Sequence, residues 1–529
     1  METNPTTIPV SERQPFYRRI VSRRALRIYL FLLVCLVTLI ALWHAEENWR
    51  GARAWNSYKR ERAASGYSFD WRTVVPPRVP DEQNFTMTPF LVPLYDFEPG
   101  TQDVRDTKAA MRAKDFAKDF PTGWGWTSEI DLVAIANVLL KPKEQPTAQT
   151  QITDRKEAAR IILQRAEQYS PVLEELRRSS ERPYARFNVA YEIPDKISII
   201  LPHLFMLRNT TRLLAIRSTA ELALGQTDQA FADVKLGLYL AETLKAEPVI
   251  ISQLVRYACL RVTMYTIFTG LHDRQWSDAQ VQQLQAMLTQ IDLINGLMIS
   301  LDGESKMHNA VLEDLKVVPN RLKVINRWVG YINPQSNDSR NRFLEFLFWV
   351  AVPRGWIDFE QLNNHRFYLD KVSGALNLQT QSLDPQIANE ADQASARLAS
   401  GGFVEIVLKH KVILNLAAPT FGKLAQKTAV AQADVKMAEI ACALERYRLA
   451  HGQYPDALSA LTSQFVTALP NDPIKAGEFK YRRTGDAFVL YSVGWNMTDD
   501  GGKVVMGSGK TPRVDANQGD WVWGTALGN

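Results

Sequence analysis

Apolar positions are densest near the start of the chain, where Ile28 to Ala45 reads IYLFLLVCLVTLIALWHA, 18 residues without a formal charge. As a helix this run measures about 27 Å at 1.5 Å per residue, close to the thickness of a bilayer hydrocarbon core. Tyr29 and Trp43 stand near its ends as interfacial aromatics, and Arg27 has the reach to carry its guanidinium out of the lipid. A long polar segment precedes the run and no small-x-small site precedes Glu46, which favours an uncleaved anchor over a cleaved signal peptide. Phe343 to Val352, FLEFLFWVAV, is too short to cross and carries Glu345.

Beyond the anchor the pattern changes. Glu46 to Ser65 predicts a short helix continuing the anchor. Pro76, Pro77, Pro80, Pro89 and Pro93 then fix φ and remove donors, so this region is expected as extended chain laid over the surface of the next domain. Lys141 to Thr153 is polar and without period, which suits a linker. From Asp154 to Pro419 the period is helical: Ile161, Ile162, Ala166, Tyr169, Leu173 and Leu176 recur at three-to-four spacing, and so do Leu213, Ile216, Ala220, Ala223 and Leu224. Ser218 to Leu244 reads helix, turn at Gly225, helix, and resembles a degenerate tetratricopeptide hairpin, with Ala230 at the packing position. No sustained 34-residue period accompanies it, so a generic hairpin-built helical domain and a repeat array both stand.

The last hundred residues are the most informative. Val430, Ala433, Met437, Ile440, Ala441, Leu444 and Tyr447 trace a helical stripe that ends at His451-Gly452, where glycine suits a left-handed C-cap. Phe479 and Tyr481 alternate with Lys480 and Arg482 before a Thr484-Gly485-Asp486 turn and a β-rich run to Val493, which predicts a hairpin. Lys503 to Gly507 and Asp520 to Gly524 add candidate short strands. One long helix on a small antiparallel sheet is the economical way to bury that stripe.

The expected fold class is therefore mainly α, with a transmembrane helix, a helical-hairpin domain and a small α+β domain. In residues, this is a basic tail over 1–27, the span over 28–45, a juxtamembrane helix and Pro-rich region over 46–153, a helical domain over 154–419 and an α+β domain over 420–529.

Charge refines the picture only at the start. The net charge is +5, and six arginines against two glutamates give residues 1–27 a charge of +4, so the remainder is nearly neutral and not suited to nucleic acid. Six Lys and Arg over residues 13–27 against four over 46–60 favour a cytoplasmic N-terminus. The bulk of the chain is then expected outside the cytoplasm, in the periplasm. Cys35, Cys259 and Cys442 form no CxxC and no metal spacing, and read as free thiols.

In order and spacing, YRLAHGQYP (Tyr447 to Pro455), LPNDP (Leu469 to Pro473), LYSVG (Leu490 to Gly494) and TDDGG (Thr498 to Gly502) resemble the C-terminal globular part of type II secretion major pseudopilins. The whole chain is also similar to a set of membrane-anchored bacterial proteins, a resemblance that carries no activity. No pseudopilin cleavage site precedes Ile28, and about 380 residues part the anchor from the module, so the resemblance does not imply entry into a pseudopilus by that family's route. The resemblance implies calcium at the acidic loop, where Asp499 and Asp500 match and Asn496 adds an amide oxygen. A solvated DDGG turn is the other reading.

Catalytic signatures do not emerge. The seven histidines make no HExxH or HxH pair, and GxSxG, GxxxxGK[ST] and post-strand GxGxxG are absent. Glu174-Glu175 and Glu192 with Asp195 are paired carboxylates of the kind that helical surfaces carry by chance. The tryptophans of GWGW (Gly123 to Trp126) and WVW (Trp521 to Trp523) suit core packing or sugar stacking. The leading expectation is a single-pass inner-membrane protein whose outer part docks with envelope or secretion components. The alternative is an anchored periplasmic enzyme or glycan-binding protein with its site in the helical domain.

Overall fold

The computed structural model describes residues 23–120, 130–140, 152–193, 196–317, 352–400, 409–411, 421–507 and 514–525. Its first element, α1 (Arg23–Ala64), is one unbroken helix of 42 residues. It contains no proline, and its single glycine, Gly51, lies against the backbone of Gly355. None of the most apolar 18-residue stretch of α1 is buried in the protein, and the helix is long and apolar enough to cross a membrane. The later stretch Asp278–Lys316 passes the same test of composition but is 56% buried inside the protein, as a core helix would be. GWGW, Asp195 and Phe343 to Ala351 lie outside the described residues.

After α1 the chain runs through short 3-10 turns at Trp71–Thr73, Asp81–Gln83 and Val92–Leu94 and through α2 (Thr107–Lys114), which Asp106 caps by accepting from the Ala109 N–H at 2.9 Å. This Pro-rich region is tied down by hydrogen bonds in place of regular structure. Asn84 Nδ2 donates to the Arg186 carbonyl at 2.8 Å, and the Arg186 N–H returns a bond to Asn84 Oδ1 at 2.9 Å. Trp71, Phe85, Leu91 and Leu94 then enter one hydrophobic cluster with the helices on their C-terminal side.

Those helices are α3 (Leu132–Leu140), α4 (Arg155–Ala166), α5 (Ser170–Ser179), α6 (Pro202–Ala223), α7 (Thr227–Glu242), α8 (Ile250–His272), α9 (Asp278–Thr289) and α10 (Leu293–Val317). The α6–α7 hairpin turns at Gly225, whose φ of +73° only glycine adopts freely, and Ala220 and Ala230 are fully buried at the crossing. Ser277 and Gln280 form a reciprocal capping box at the start of α9. Next come α11 (Arg354–His365), a π-helical turn at Arg366–Val372, the pair β1 (Leu376–Asn377) and β2 (Ser382–Leu383), and α12 (Pro385–Ser400).

The long C-terminal helix, α13 (Phe421–His451), ends where the sequence places its stop: Gly452 adopts φ +79° and its N–H returns to the Arg448 carbonyl at 2.7 Å. Its burial goes further than one stripe. Ala433, Met437, Ile440 and Leu444 pack toward Phe479, Leu490, Trp495 and Trp521 of the sheet side, whereas Val435, Ala438, Ala441 and Cys442 join Tyr257, Leu260, Val281 and Leu284 of α8 and α9. Residues of 154–419 and of 420–529 therefore share two cores across this helix. The sheet is antiparallel and small. β3 (Lys480–Thr484), β4 (Ala487–Ser492) and β7 (Trp521–Val522) lie in the order β3-β4-β7, with β5 (Val504–Met506) paired to β6 (Val514–Gly519) beside them.

Candidate functional site

The densest chemistry lies where α10, α11 and the outer half of α1 converge. Along α10, Asp302, Ser305, Lys306, Asn309, Glu313 and Lys316 recur at three-to-four spacing, and along α11 Asp358, Gln361, Asn364 and His365 do the same, so two polar stripes face each other. Ser305 Oγ lies 2.7 Å from His365 Nδ1, Asn364 Nδ2 donates to the Ser305 carbonyl at 3.1 Å, and Gln361 Nε2 donates to Asn309 Oδ1 at 2.7 Å and Glu313 Oε1 at 2.8 Å. Lys316 Nζ closes one end of the seam on Asp358 at 2.7 Å and Gln361 at 2.6 Å. Lys306 Nζ closes the other on Asp302 at 2.8 Å and Thr73 at 3.0 Å.

Burial sets the protonation of this seam. His308 is pushed down to about 4 and His365 to about 3, desolvation being the largest cause in both, so both imidazoles are neutral at pH 7. Glu304, which accepts the Ile250 N–H at 3.1 Å, is pushed up to about 7 by the same desolvation. Trp55 of α1 stacks on His365 with ring centroids 5.4 Å apart, and Tyr67 donates to Asp302 at 2.6 Å. Among the described residues His365 Nε2 and Trp55 Nε1 have no hydrogen-bond partner. A Ser–His contact of this kind is a nucleophile and base when substrate reaches it. Here both side chains are fully buried under Trp55, so the contact orients the helices.

The junction with α1 is built at the other end of α11. Gly51 and Gly355 let the two backbones touch: a β-carbon on Gly51 would collide with the Gly355 carbonyl, and one on Gly355 with the Glu47 carbonyl. Glu47 then accepts from Trp356 Nε1 at 2.9 Å and Arg50 Nη1 at 2.7 Å, Asn48 Oδ1 accepts the Gly355 N–H at 2.8 Å, and His410 Nε2 lies 3.7 Å from Glu47. The helices run parallel, with Trp356 against Trp43 at a centroid distance of 5.7 Å and Leu362 against Trp55 and Tyr58. Sequence reading missed both the clamp and the seam. The signals were a glycine inside an otherwise unbroken helix and polar residues recurring at helical spacing between Asp302 and Lys316.

A second buried network joins the Pro-rich region to α6. Tyr95 is hydrogen bonded to His203 Nδ1, His203 Nε2 lies 2.8 Å from Glu247, Ser252 Oγ donates to Glu247 at 2.5 Å, and Phe187 stacks on the imidazole at 4.1 Å.

The acidic loop is close-knit. Tyr491 donates to Asp499 Oδ1 at 2.9 Å, the Gly501 N–H donates to the same oxygen at 3.0 Å, Asn496 Nδ2 donates to Asp500 at 3.1 Å, and the Thr498 N–H donates to Asn496 Oδ1 at 3.1 Å. A residue the sequence did not single out completes it: Asp520, fully buried, accepts the N–H groups of Asp500 at 3.3 Å and Gly502 at 2.6 Å. Its desolvation raises it above the usual carboxylate range, while the Gly501 N–H and the Tyr491 hydroxyl hold Asp499 below it. Asp499, Asp500 and Asn496 thus share one loop, and one side-chain oxygen of each accepts from a protein donor. Among the described residues no group of three or more His, Cys, Asp or Glu is disposed to hold a metal ion.

The remaining candidates separate. Glu174 pairs with Arg177 at 2.7 Å while its neighbour Glu175 accepts the Phe90 N–H at 2.9 Å, and exposed Glu192 faces Arg78 at 3.6 Å. Trp521 is fully buried and Trp523 packs edge-on to Phe268 at 5.7 Å. Cys259 and Cys442 are buried free thiols. No family model, curated protein or solved structure matches the chain.

Proposed function

We propose that this chain is a single-pass membrane protein of the bacterial envelope, N-terminus in the cytoplasm and bulk in the periplasm, which acts as a docking component in an envelope or secretion assembly. The observation that carries this reading is α1 itself: its apolar half is bare, and its polar half is built into the body by the Gly51–Gly355 crossing and the buried Trp55. A helix continuous from one to the other holds the body at a set posture over the bilayer, which is what a docking platform requires. The chemistry that is present is consistent with this role, since the Ser305–His365 contact and the His203 network are sealed inside and serve packing. The resemblance of residues 447–502 to pseudopilin globular domains points to secretion components as partners.

The test is in-cell cross-linking of the tagged full-length protein, with mass spectrometry of what co-purifies from solubilised membranes. Envelope or secretion components cross-linked to residues 424–525 or to the helical body are the expected result. Recovery of the chain alone, across several cross-linker lengths, would overturn the docking role.

A further inference from the structure

The cations beyond the apolar run are more than orientation uses. Arg50, Arg53, Lys59 and Arg60 all follow Ala45 within 15 residues, on the side that the charge rule leaves poor in them. Their placement on α1 is specific. Glu47, Gly51, Trp55 and Tyr58 are the buried residues of this half of the helix. Trp49 falls on the opposite face, 60% exposed, with the Arg53 guanidinium over its ring at 5.3 Å.

Depth is set by helix geometry. Trp49 stands four residues past Ala45, about 6 Å along the axis, which is within the headgroup layer flanking a hydrocarbon core of about 30 Å. Long side chains on a helix point back toward its N-terminus, so Arg53 brings its charge to the depth of Trp49, as the cation–π contact records. Arg354 reaches the same level from another side of the helix. It is the exposed first residue of α11, and its neighbour Gly355 lies against Glu47 and Asn48. At this level Arg50 is already paired with Glu47 at 2.7 Å, and Glu46 is an exposed acid. Among the described residues, no carboxylate lies within ion-pair distance of Arg53 or Arg354.

We propose that the membrane-exit turn binds anionic phospholipid headgroups at two points around α1, Trp49 with Arg53 on its exposed face and Arg354 on the side of α11. Each guanidinium takes a lipid phosphate in its fork, and Trp49 sits at the interface between headgroup and acyl chain. The inference rests on the reading that α1 spans the bilayer. It adds a lipid ligand that the docking role does not require.

The experiment is native mass spectrometry of the full-length protein in detergent, titrated with phosphatidylglycerol or phosphatidylcholine. Phosphatidylglycerol adducts are expected to survive activation that strips phosphatidylcholine. Each removed guanidinium is expected to weaken retention about fivefold, and the Arg53→Gln, Arg354→Gln double variant about 25-fold. An Arg18→Gln, Arg19→Gln variant reports the separate contribution of the basic tail, and circular dichroism confirms that the variants fold. Equal retention of the two lipids, unchanged retention in the double variant, or displacement by millimolar inorganic phosphate would overturn the site. Carbonate extraction separates the two readings. A protein released by carbonate refutes the anchor, whereas one that stays in the membrane with no lipid preference refutes the headgroup site alone.

Discussion

Glu304 and the two histidines of the α10–α11 seam respond to pH in opposite senses. Glu304 is raised to about 7 from 4.5, so between those values the folded chain keeps a proton that the unfolded chain has lost. Its contribution is present below pH 4.5 and is lost as pH rises through 7, at about 1.4 kcal/mol per pH unit. His308, lowered to about 4 from 6.5, contributes above pH 6.5 and loses that contribution as pH falls toward 4. Denaturant melts at pH 5, 6, 7 and 8 test this. Glu304→Gln is expected to lose stability relative to wild type at pH 5 and to regain it by pH 8, whereas His308→Gln is expected to soften the acid side of the profile. Parallel profiles for all three proteins would refute the protonation states. At the loop, Asp520→Ala leaves the N–H groups of Asp500 and Gly502 without their acceptor and is expected to cost about 2 kcal/mol, with faster proteolysis between Asn496 and Lys503 as the local readout. Asp499 and Asp500 were legible because they are adjacent in an acidic, glycine-rich run. Asp520 was not, because its role depends on a strand pairing that returns it to the loop from twenty residues away.

Elements were read best where one periodicity served one neighbour. The end of α13 at His451, the Gly225 turn and the β3–β4 hairpin with Gly485 at φ +61° all arise from local chemistry that the structure keeps. The full burial of α13 was not legible, because Gln432, Lys436, Glu439 and Glu445 look like a solvent face until α8 and α9 cover them. Gln432 and Glu439 are satisfied from outside the helix, Gln432 Oε1 accepting the Leu293 N–H at 2.7 Å and Glu439 accepting from Thr289 at 2.9 Å, whereas Lys436 pairs with Glu439 and Glu445 with Arg448 within α13. Gly51 was silent for a similar reason, since its meaning lies in Gly355, 304 positions later. Gly51→Val puts a branched side chain into the Gly355 backbone and is expected to cost about 3 kcal/mol or more, separating α1 from α11. Ala63→Val, on an exposed position of the same helix, controls for propensity and is expected to cost about 0.6 kcal/mol. Limited proteolysis in the Glu61 to Tyr67 stretch, faster in Gly51→Val and unchanged in Ala63→Val, reports the separation directly.

The whole molecule joins a bare apolar helix to a body whose chemistry is internal, and the join decides whether the body is tethered or held. If α1 spans a bilayer as proposed, a flexible join would let the body tumble over it, whereas a continuous α1 clamped along α11 up to its last apolar turn would fix the posture. Trp43 and Trp356 mark that last turn, with their rings edge-to-face 5.7 Å apart. In a Cys35→Ser background, Trp43→Cys with Trp356→Cys is therefore expected to be bridged within one chain by a bifunctional thiol cross-linker of about 10 Å reach in native membranes, giving a mobility shift on gels; the two native thiols that remain, Cys259 and Cys442, are buried and do not compete. Inserting Gly-Gly-Ser between Ala45 and Glu46 breaks the helix between membrane and clamp, and is expected to lower the yield at least fivefold while leaving the melting of the body unchanged. If yield is low without the insertion, or indifferent to it, the membrane half of α1 moves independently of the body, and the fixed posture on which the docking role depends is wrong.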